Sequence, residues 1–296
     1  MTDLKRIALT DRAVLRVSGP EARGFLQGIV TNNVERVDPT RAIYSALLTP
    51  QGKFLFDFIM ADDGTGGLLI DTAHNRAAEL SKRLGFYKLR ARAEITDVSD
   101  DVVVTALIGD GASEAVKLHS RIGNAWRNDA VVYMVDPRLA TLGVRCLHPA
   151  DTQPLADHVE GTLDDYHTHR MALAVPEAGA DVLVDKSFIL ESNFEELNAV
   201  DFEKGCYVGQ ELTARTKYRG TVRRRLFAVK ADDDLPDAGT PITVGTAEIG
   251  ELRSAINGRG IALIRTDRLE EVGGDAAEVM AGDVRVTPVK PDWVSF

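Results

Sequence analysis

Only two cysteines, Cys146 and Cys206, occur in 296 residues, and neither belongs to a C-x-x-C pair. That scarcity argues against a cysteine-built zinc site, a self-held iron–sulfur cluster and a disulfide framework. No segment approaches the roughly 20 apolar residues that a membrane span needs, and the opening "MTDLKRIALT" has no long apolar run behind its charges. The expectation is a cytoplasmic protein that works where it is made and does not touch a membrane. Positive charge is short as well: 35 Lys and Arg against 45 Asp and Glu leave a net charge of -10. General nucleic-acid binding rests on a basic surface and is not expected here. Internal repeats and low-complexity segments are missing too. His167 and His169, two apart in a helical segment, fall on different faces and make a poor metal pair, so no permanently bound metal is expected.

What is present is the composition of an ordinary globular protein, 44% hydrophobic and 27% charged, on a chain long enough for two or three packed units. "DRAVLRVSGPEARGFLQGIVTNNV" reads as a strand, Ala13 to Val17, then a helix opened by Ser18 or Gly19 with Pro20 and Glu21 in its first turn. Phe25, Leu26, Ile29 and Val30 form the core face of that helix. "AIYSALLTPQGKFLFDFIMADDGTGGLLIDT" reads as three strands with turns at Pro50-Gln51-Gly52 and Asp62 to Gly67. A helix from about His74 to Leu84 and a strand in "YKLRARAEITDV" follow, which makes a two-layer α+β unit. Alternation places Asp57 among apolar neighbours, either as a partnered structural carboxylate or as a site acid.

Strands near Val102 to Ile108, Val131 to Val135 and Leu142 to Leu147, with a helix in "ASEAVKLHSRIG", complete the middle. A helix in "DDYHTHRMALAV" comes next. After Leu226, short β-branched runs separated by Asp, Pro and Gly predict a small β domain, barrel-like and ending near "VRVTPV".

The chemistry concentrates in "FEKGCYVGQELTARTKYRGTVRRRL". Gly205 and Gly209 permit positive φ, so Cys206 is expected exposed on a turn ahead of a short helix, where Lys204, the arginines and the helix start favour thiolate. Such a thiol suits a nucleophile, a redox group or one ligand to a transferred metal species; a small residue in a tight turn is the bland alternative. Cys146, in "LGVRCL", reads as a buried strand residue. From Leu212 to Ala231 the chain carries seven cations, Arg215, Lys217, Arg219, Arg223, Arg224, Arg225 and Lys230, and no Asp or Glu. That run is either a solvated face or a pocket rim for a small polyanion.

"KGCYVGQE" followed by "ARTKYRG" and "RRRL" resembles the signature of the YgfZ family, folate-binding proteins related to the glycine-cleavage T-protein. The likeness extends through "FILESNFEELNAVDFEKGCY" and into "FLQGIVTNNV" and "YSALLTPQGKFLFDFIM", nearest the branch with the mitochondrial iron–sulfur assembly factors. It implies an α+β fold built as a three-lobed ring. Residues 1–45 plus 145–220 would form a discontinuous first lobe with the cysteine motif, 46–144 an α+β second lobe, and 221–296 a C-terminal β-barrel.

It implies tetrahydrofolate in a central channel and a role in assembling or repairing 4Fe–4S clusters in client enzymes, among them enzymes that modify transfer RNA. Iron–sulfur carriers or target enzymes would be the partners. Cys206 would be the functional thiol, mobile and exposed. Asp57, Arg170, Lys204, Gln210, Glu211, Arg215, Tyr218, Arg219, Arg223 and Arg225 would serve the folate, with the basic run taking its glutamate tail. The chain departs from the family pattern at two places. T-proteins have two adjacent aspartates where this chain has Phe56 and Asp57, and R-x-E-A-G-x-P is here "RMALAVP", with Ala172 at the glutamate position. Alternatives are a folate-dependent aminomethyltransferase-like one-carbon transferase centred on Asp57 and a non-catalytic adaptor whose folate pocket has decayed.

Overall fold

The computed structural model describes residues 4–128, 130–155, 158–274 and 278–295. The chain divides into two compact units. The first comprises Met1–Pro50, Leu55–Tyr166 and Leu197–Gln210; the second comprises Gln51–Phe54, His167–Glu196 and Glu211–Phe296.

In chain order the first unit's elements are β1 (Lys5–Ala8), β2 (Arg12–Ser18), α1 (Ala22–Gln27), β3 (Ile43–Leu48), β4 (Phe54–Asp62), β5 (Leu68–Ala73), α2 (His74–Lys88), β6 (Glu94–Asp97), β7 (Val102–Ile108), α3 (Ala112–Ala115), β8 (Ala125–Asn128), β9 (Val131–Val135), β10 (Val144–Pro149) and β11 (Val159–Glu160), with α4 (Leu163–Ala172) running out of it. They build a five-stranded sheet, β3-β4-β5-β2-β6, and a six-stranded one, β11-β1-β7-β10-β9-β8. In the second sheet β1, near the N-terminus, pairs antiparallel with β7 and parallel with β11.

Turn chemistry sets the first sheet. Gly52 has φ +75° between β3 and β4. Between β4 and β5, Asp62 accepts from the Gly64 amide, and Asp63 accepts from the amides of Thr65 and Gly67. Such Asx-type bonds hold a tight connection without a ladder. Along β4 every residue from Phe54 to Ala61 is buried. Both faces are therefore covered, so the alternation in sequence does not sort an inner from an outer face.

One ionic cluster ties the two sheets together. Arg145, on β10, donates to Asp71 Oδ2 of β5 at 2.6 Å and lies 3.5 Å from Asp136, while Arg12 of β2 donates to Asp71 Oδ1 at 2.7 Å. Arg138 pairs with Asp136 at 2.8 Å, and both Arg138 and Arg145 donate to the Tyr166 hydroxyl. Burial is nearly complete for Asp71, Asp136, Arg138 and Arg145. Satisfaction inside the cluster is what makes such charges tolerable.

Three expectations are corrected. The strand expected from Tyr87 begins at Glu94, because α2 continues through Lys88 and stops only at Leu89, whose φ is +48°. "ASEAVKLHSRIG" forms only the single turn α3: Lys117 takes φ +61°, and the Leu118 amide bonds back to Ser113 O at 2.8 Å, closing the turn. Helix α1 starts at Ala22, two residues later than its proline suggested, with Glu21 at its N-cap, where the carboxylate accepts from the Arg92 backbone at 2.6 Å.

The second unit holds the start of β4, most of α4 and of α5 (Gln210–Arg219), and the strands β12 (Arg224–Lys230), β13 (Pro241–Val244), β14 (Ala247–Ile256), β15 (Arg259–Arg265), β16 (Val279–Ala281) and β17 (Val284–Val289), with α6 (Thr266–Glu271) before β16. The six strands close into a barrel around Ile242, Ile249, Leu252, Ala262, Ile264 and Val286. Closure demands close approach: a Cβ on Gly250 would lie 2.3 Å from Leu263 O. The barrel expected from the sequence is thus present, and its last strand is the "VRVTPV" segment.

Candidate functional site: the Cys206 loop, Asp57 and the basic run

Cys206 is exposed, and Cys146 is fully buried. Burial pushes the Cys146 thiol well above its ordinary pKa, the neighbouring Arg145 opposing only in part. Cys206 is therefore the thiol that solvent and other molecules reach. Gly205 and Gly209 have φ of +94° and +83°, a conformation that glycine permits.

The loop's exposure was legible, whereas its anchorage was not. The Lys204 ammonium turns inward and donates to Gln27 O at 2.6 Å and to Val30 O, just past the end of α1. It also sits 5.3 Å from the centre of the Tyr207 ring, and Tyr207 is buried. Burial lowers the Lys204 pKa to about 8, with Asp201 pulling the other way. Upstream, Thr31 Oγ1 donates to Ala199 O at 2.7 Å, Asn32 Nδ2 to Asn198 O at 2.7 Å and the Asp201 amide to Thr31 O at 3.0 Å, while Arg36 pairs with Asp201 at 2.9 Å. The segments "GFLQGIVTNNVER" and "LNAVDFEKGCY", some 170 residues apart in sequence, thus form one structure; further along the chain α5 opens at Gln210.

Asp57 is buried on β4 and accepts from the Tyr44 hydroxyl at 2.6 Å. The Arg138 guanidinium stands 5.8 Å from the centre of the Tyr44 ring. Tyr44 escaped the sequence reading, since a tyrosine in an apolar strand looks like core. Its hydroxyl and an acid on the neighbouring strand were the available signal.

The remaining candidates lie in the second unit. Arg170 is buried: its Nη1 donates to Asp181 at 2.8 Å and to Val175 O at 3.2 Å, and its Nε donates to His167 Nδ1 at 2.9 Å. Arg225 is also buried, donating to Glu196 and to Leu190 O, both at 2.9 Å. Arg215 pairs with Glu211 at 2.7 Å, and Lys217 with Glu195. Glu191, half-buried, is held above the ordinary carboxylate range by burial although Arg224, Arg253 and Arg225 oppose it. The run without acids in sequence therefore meets acids in space, most of them from "ESNFEE" just upstream. Tyr218, Arg219, Arg223 and Arg224 are exposed. No group of three or more His, Cys, Asp or Glu suited to a metal ion occurs among the described residues.

Residues 7–147 match the GCVT N-terminal domain, and residues 223–296 match the CAF17 C-terminal beta-barrel domain. The mitochondrial iron–sulfur cluster assembly factor IBA57 of Mus musculus is 32% identical over 310 residues, spanning 96% of this chain and 84% of its own length. The factor of the same name from Homo sapiens is 33% identical over 305 residues, with the same two shares, 96% and 84%. The crystal structure of the glycine cleavage system aminomethyltransferase T from Bartonella henselae aligns over 99% of this chain and 87% of its own, with a TM-score of 0.78 at 14% identity. That last likeness is one of fold, an α+β architecture with a C-terminal barrel. The chain belongs to the GcvT/CAF17 family, with the IBA57 proteins among its relatives.

Proposed function

We propose that this protein is an iron–sulfur cluster assembly factor that supports 4Fe–4S client enzymes through the thiol of Cys206. The observation that carries the reading is the exposed Cys206 on a loop bonded down on its N-terminal side by Lys204 and set on its C-terminal side by buried Tyr207. As thiolate, having given its proton to solvent, Cys206 supplies one ligand to a cluster in transit. Cys146 is buried, so the other ligands come from the carrier or client protein. A cluster passing between proteins is cargo and needs no resident metal site.

A reduced folate is the companion ligand in this proposal. The donor set of the first unit fits one end of it. A buried carboxylate offers about four acceptor positions, and Tyr44 takes one of those on Asp57. Adjacent N–H donors of a pterin suit a buried carboxylate of this kind. When bound, the folate would supply one-carbon chemistry. With Phe56 at a position where T-proteins carry an aspartate, binding rather than transfer is the role this proposal gives the folate. One-carbon transfer is the second reading, favoured by the Asp57–Tyr44 pair alone.

The test is replacement of Cys206 by alanine in cells that depend on this protein. A 4Fe–4S client should fall to near background activity while the variant's melting temperature is unchanged. Full client activity would remove the thiol from the mechanism. The second reading predicts the reverse, with Cys206→Ala active and Asp57→Asn inactive.

A further inference from the structure

The family resemblance assigns Lys204 to the folate, yet its ammonium is turned away from solvent onto the backbone at the end of α1. We propose that Lys204 is a positioning residue for Cys206, a clamp that holds the thiol loop against residues 27–30. The inference rests on the reading of Cys206 as the working group.

Four observations converge. First, α1 is short, and its last turn leaves carbonyls without intrahelical partners. The amides of Gly28, Ile29 and Val30 turn back to Phe25 O and Leu26 O, which leaves Gln27 O and Val30 O to the lysine. A cation at a helix C-terminus is also favoured by the helix dipole. Second, the contact is reciprocal. Gln27 Nε2 donates to Lys204 O at 3.4 Å and to Asn33 Oδ1 at 3.1 Å, while Gln27 Oε1 accepts from the Val34 amide at 2.8 Å. Gln27 is thereby fixed at both ends of its amide and presents a rigid surface to the loop.

Third, the ammonium lies by the face of the Tyr207 ring, a cation–π arrangement that joins the residues on either side of Gly205-Cys206. Fourth, a Cβ on Gly205 would meet nothing within 4 Å, although its φ is +94°. Gly205 is thus there to turn the chain and not to fit a gap, and the turn carries Cys206 outward from the clamped lysine. Arginine keeps the charge and can stack on the ring, but its planar fork does not reproduce the compact contact of the ammonium with the two carbonyls.

The experiment compares wild type with Lys204→Met and Lys204→Arg by amide hydrogen exchange, iodoacetamide alkylation of Cys206 and maturation of a 4Fe–4S client. Loss of the charge-assisted bonds should speed exchange at residues 203–207 by about tenfold or more. Exchange elsewhere should be unaltered and Cys206 still alkylated, while client maturation falls and the arginine variant recovers part of both. Wild-type exchange in the methionine variant would overturn the clamp.

Lysine acylation of the unmodified wild type gives an answer that needs no variant to fold. A Lys204 amine that reached solvent would acylate as readily as any other surface lysine. The clamp predicts that it reacts about tenfold or more slowly than exposed Lys82; equal or faster reaction would refute it. Should Cys206→Ala mature the client normally, the proposed function fails, while exchange and acylation still judge the clamp.

Discussion

Ala174 is the residue where this chain departs most plainly from its own backbone. Helix α4 ends with the Val175 amide bonded to Arg170 O at 2.9 Å and the Ala174 amide bonded to Met171 O at 2.9 Å. That is the paired-bond ending in which the residue in the left-handed region is usually glycine. Here it is alanine, fully buried at φ +55°, at the position that the family pattern R-x-E-A-G-x-P gives to glycine. Replacing Ala174 by glycine relieves the Cβ clash and should stabilise the fold by about 0.5–1 kcal/mol, the unfolded chain's extra freedom offsetting part of the gain. Urea denaturation reads this directly, and an unchanged or lower midpoint would count against strain at this site. The same scale shows what sequence can carry. The exposure of Cys206 and the burial of Cys146 followed from their immediate neighbours. The inward turn of Lys204 did not, since its partners lie 174 and 177 positions away.

Among the elements, β2, β5 and β10 depend on one another through the Arg12–Asp71–Arg145–Asp136–Arg138 cluster. Burial raises the Asp136 pKa, but the facing Arg138 and Arg145 outweigh it, so the carboxyl ends below its ordinary range. A carboxylate with a depressed folded pKa adds stability that is complete above its unfolded value and lost as pH falls through the folded one. Stability should therefore decline below about pH 4. Arg145→Met removes one partner from the buried charges and should cost about 3–5 kcal/mol near neutral pH. Its acid limb should also move to higher pH, because Asp136 loses a cation that held its proton off. Urea midpoints measured from pH 3 to 7 test both effects, and parallel curves for the two proteins would contradict the assignment.

Local patterning revealed β3, β4, β5 and the barrel strands because each is bounded by its own turns. It misjudged α3 and the start of β6. A left-handed lysine and an outward leucine ended those helices, and neither residue type signals a stop.

Across the whole molecule, charge sets the terms on which an anionic ligand is met. At a net charge of -10, the protein repels a polyglutamate tail at long range. Beyond about 8 Å at physiological salt that repulsion is screened, so only local cations decide the outcome. The basic run looked uniformly available in sequence. In the folded second unit Arg215, Lys217 and Arg225 are each paired with a glutamate, whereas Arg219 and Arg223 stand exposed. A tail held by this run should therefore gain from two or three cations at its rim and not from seven. Exposed ion pairs contribute at most about 1 kcal/mol each. Tetrahydrofolate carrying extra glutamates should then bind only several-fold to about a hundredfold more tightly than the monoglutamate, and the gain should shrink as salt rises. Anaerobic titration calorimetry at low and high salt measures it. Arg219→Glu combined with Arg223→Glu should abolish the gain from the tail without weakening the monoglutamate form. If the two forms bind alike in the wild type, the run is a solvated face, and its arginines serve the glutamates of their own unit.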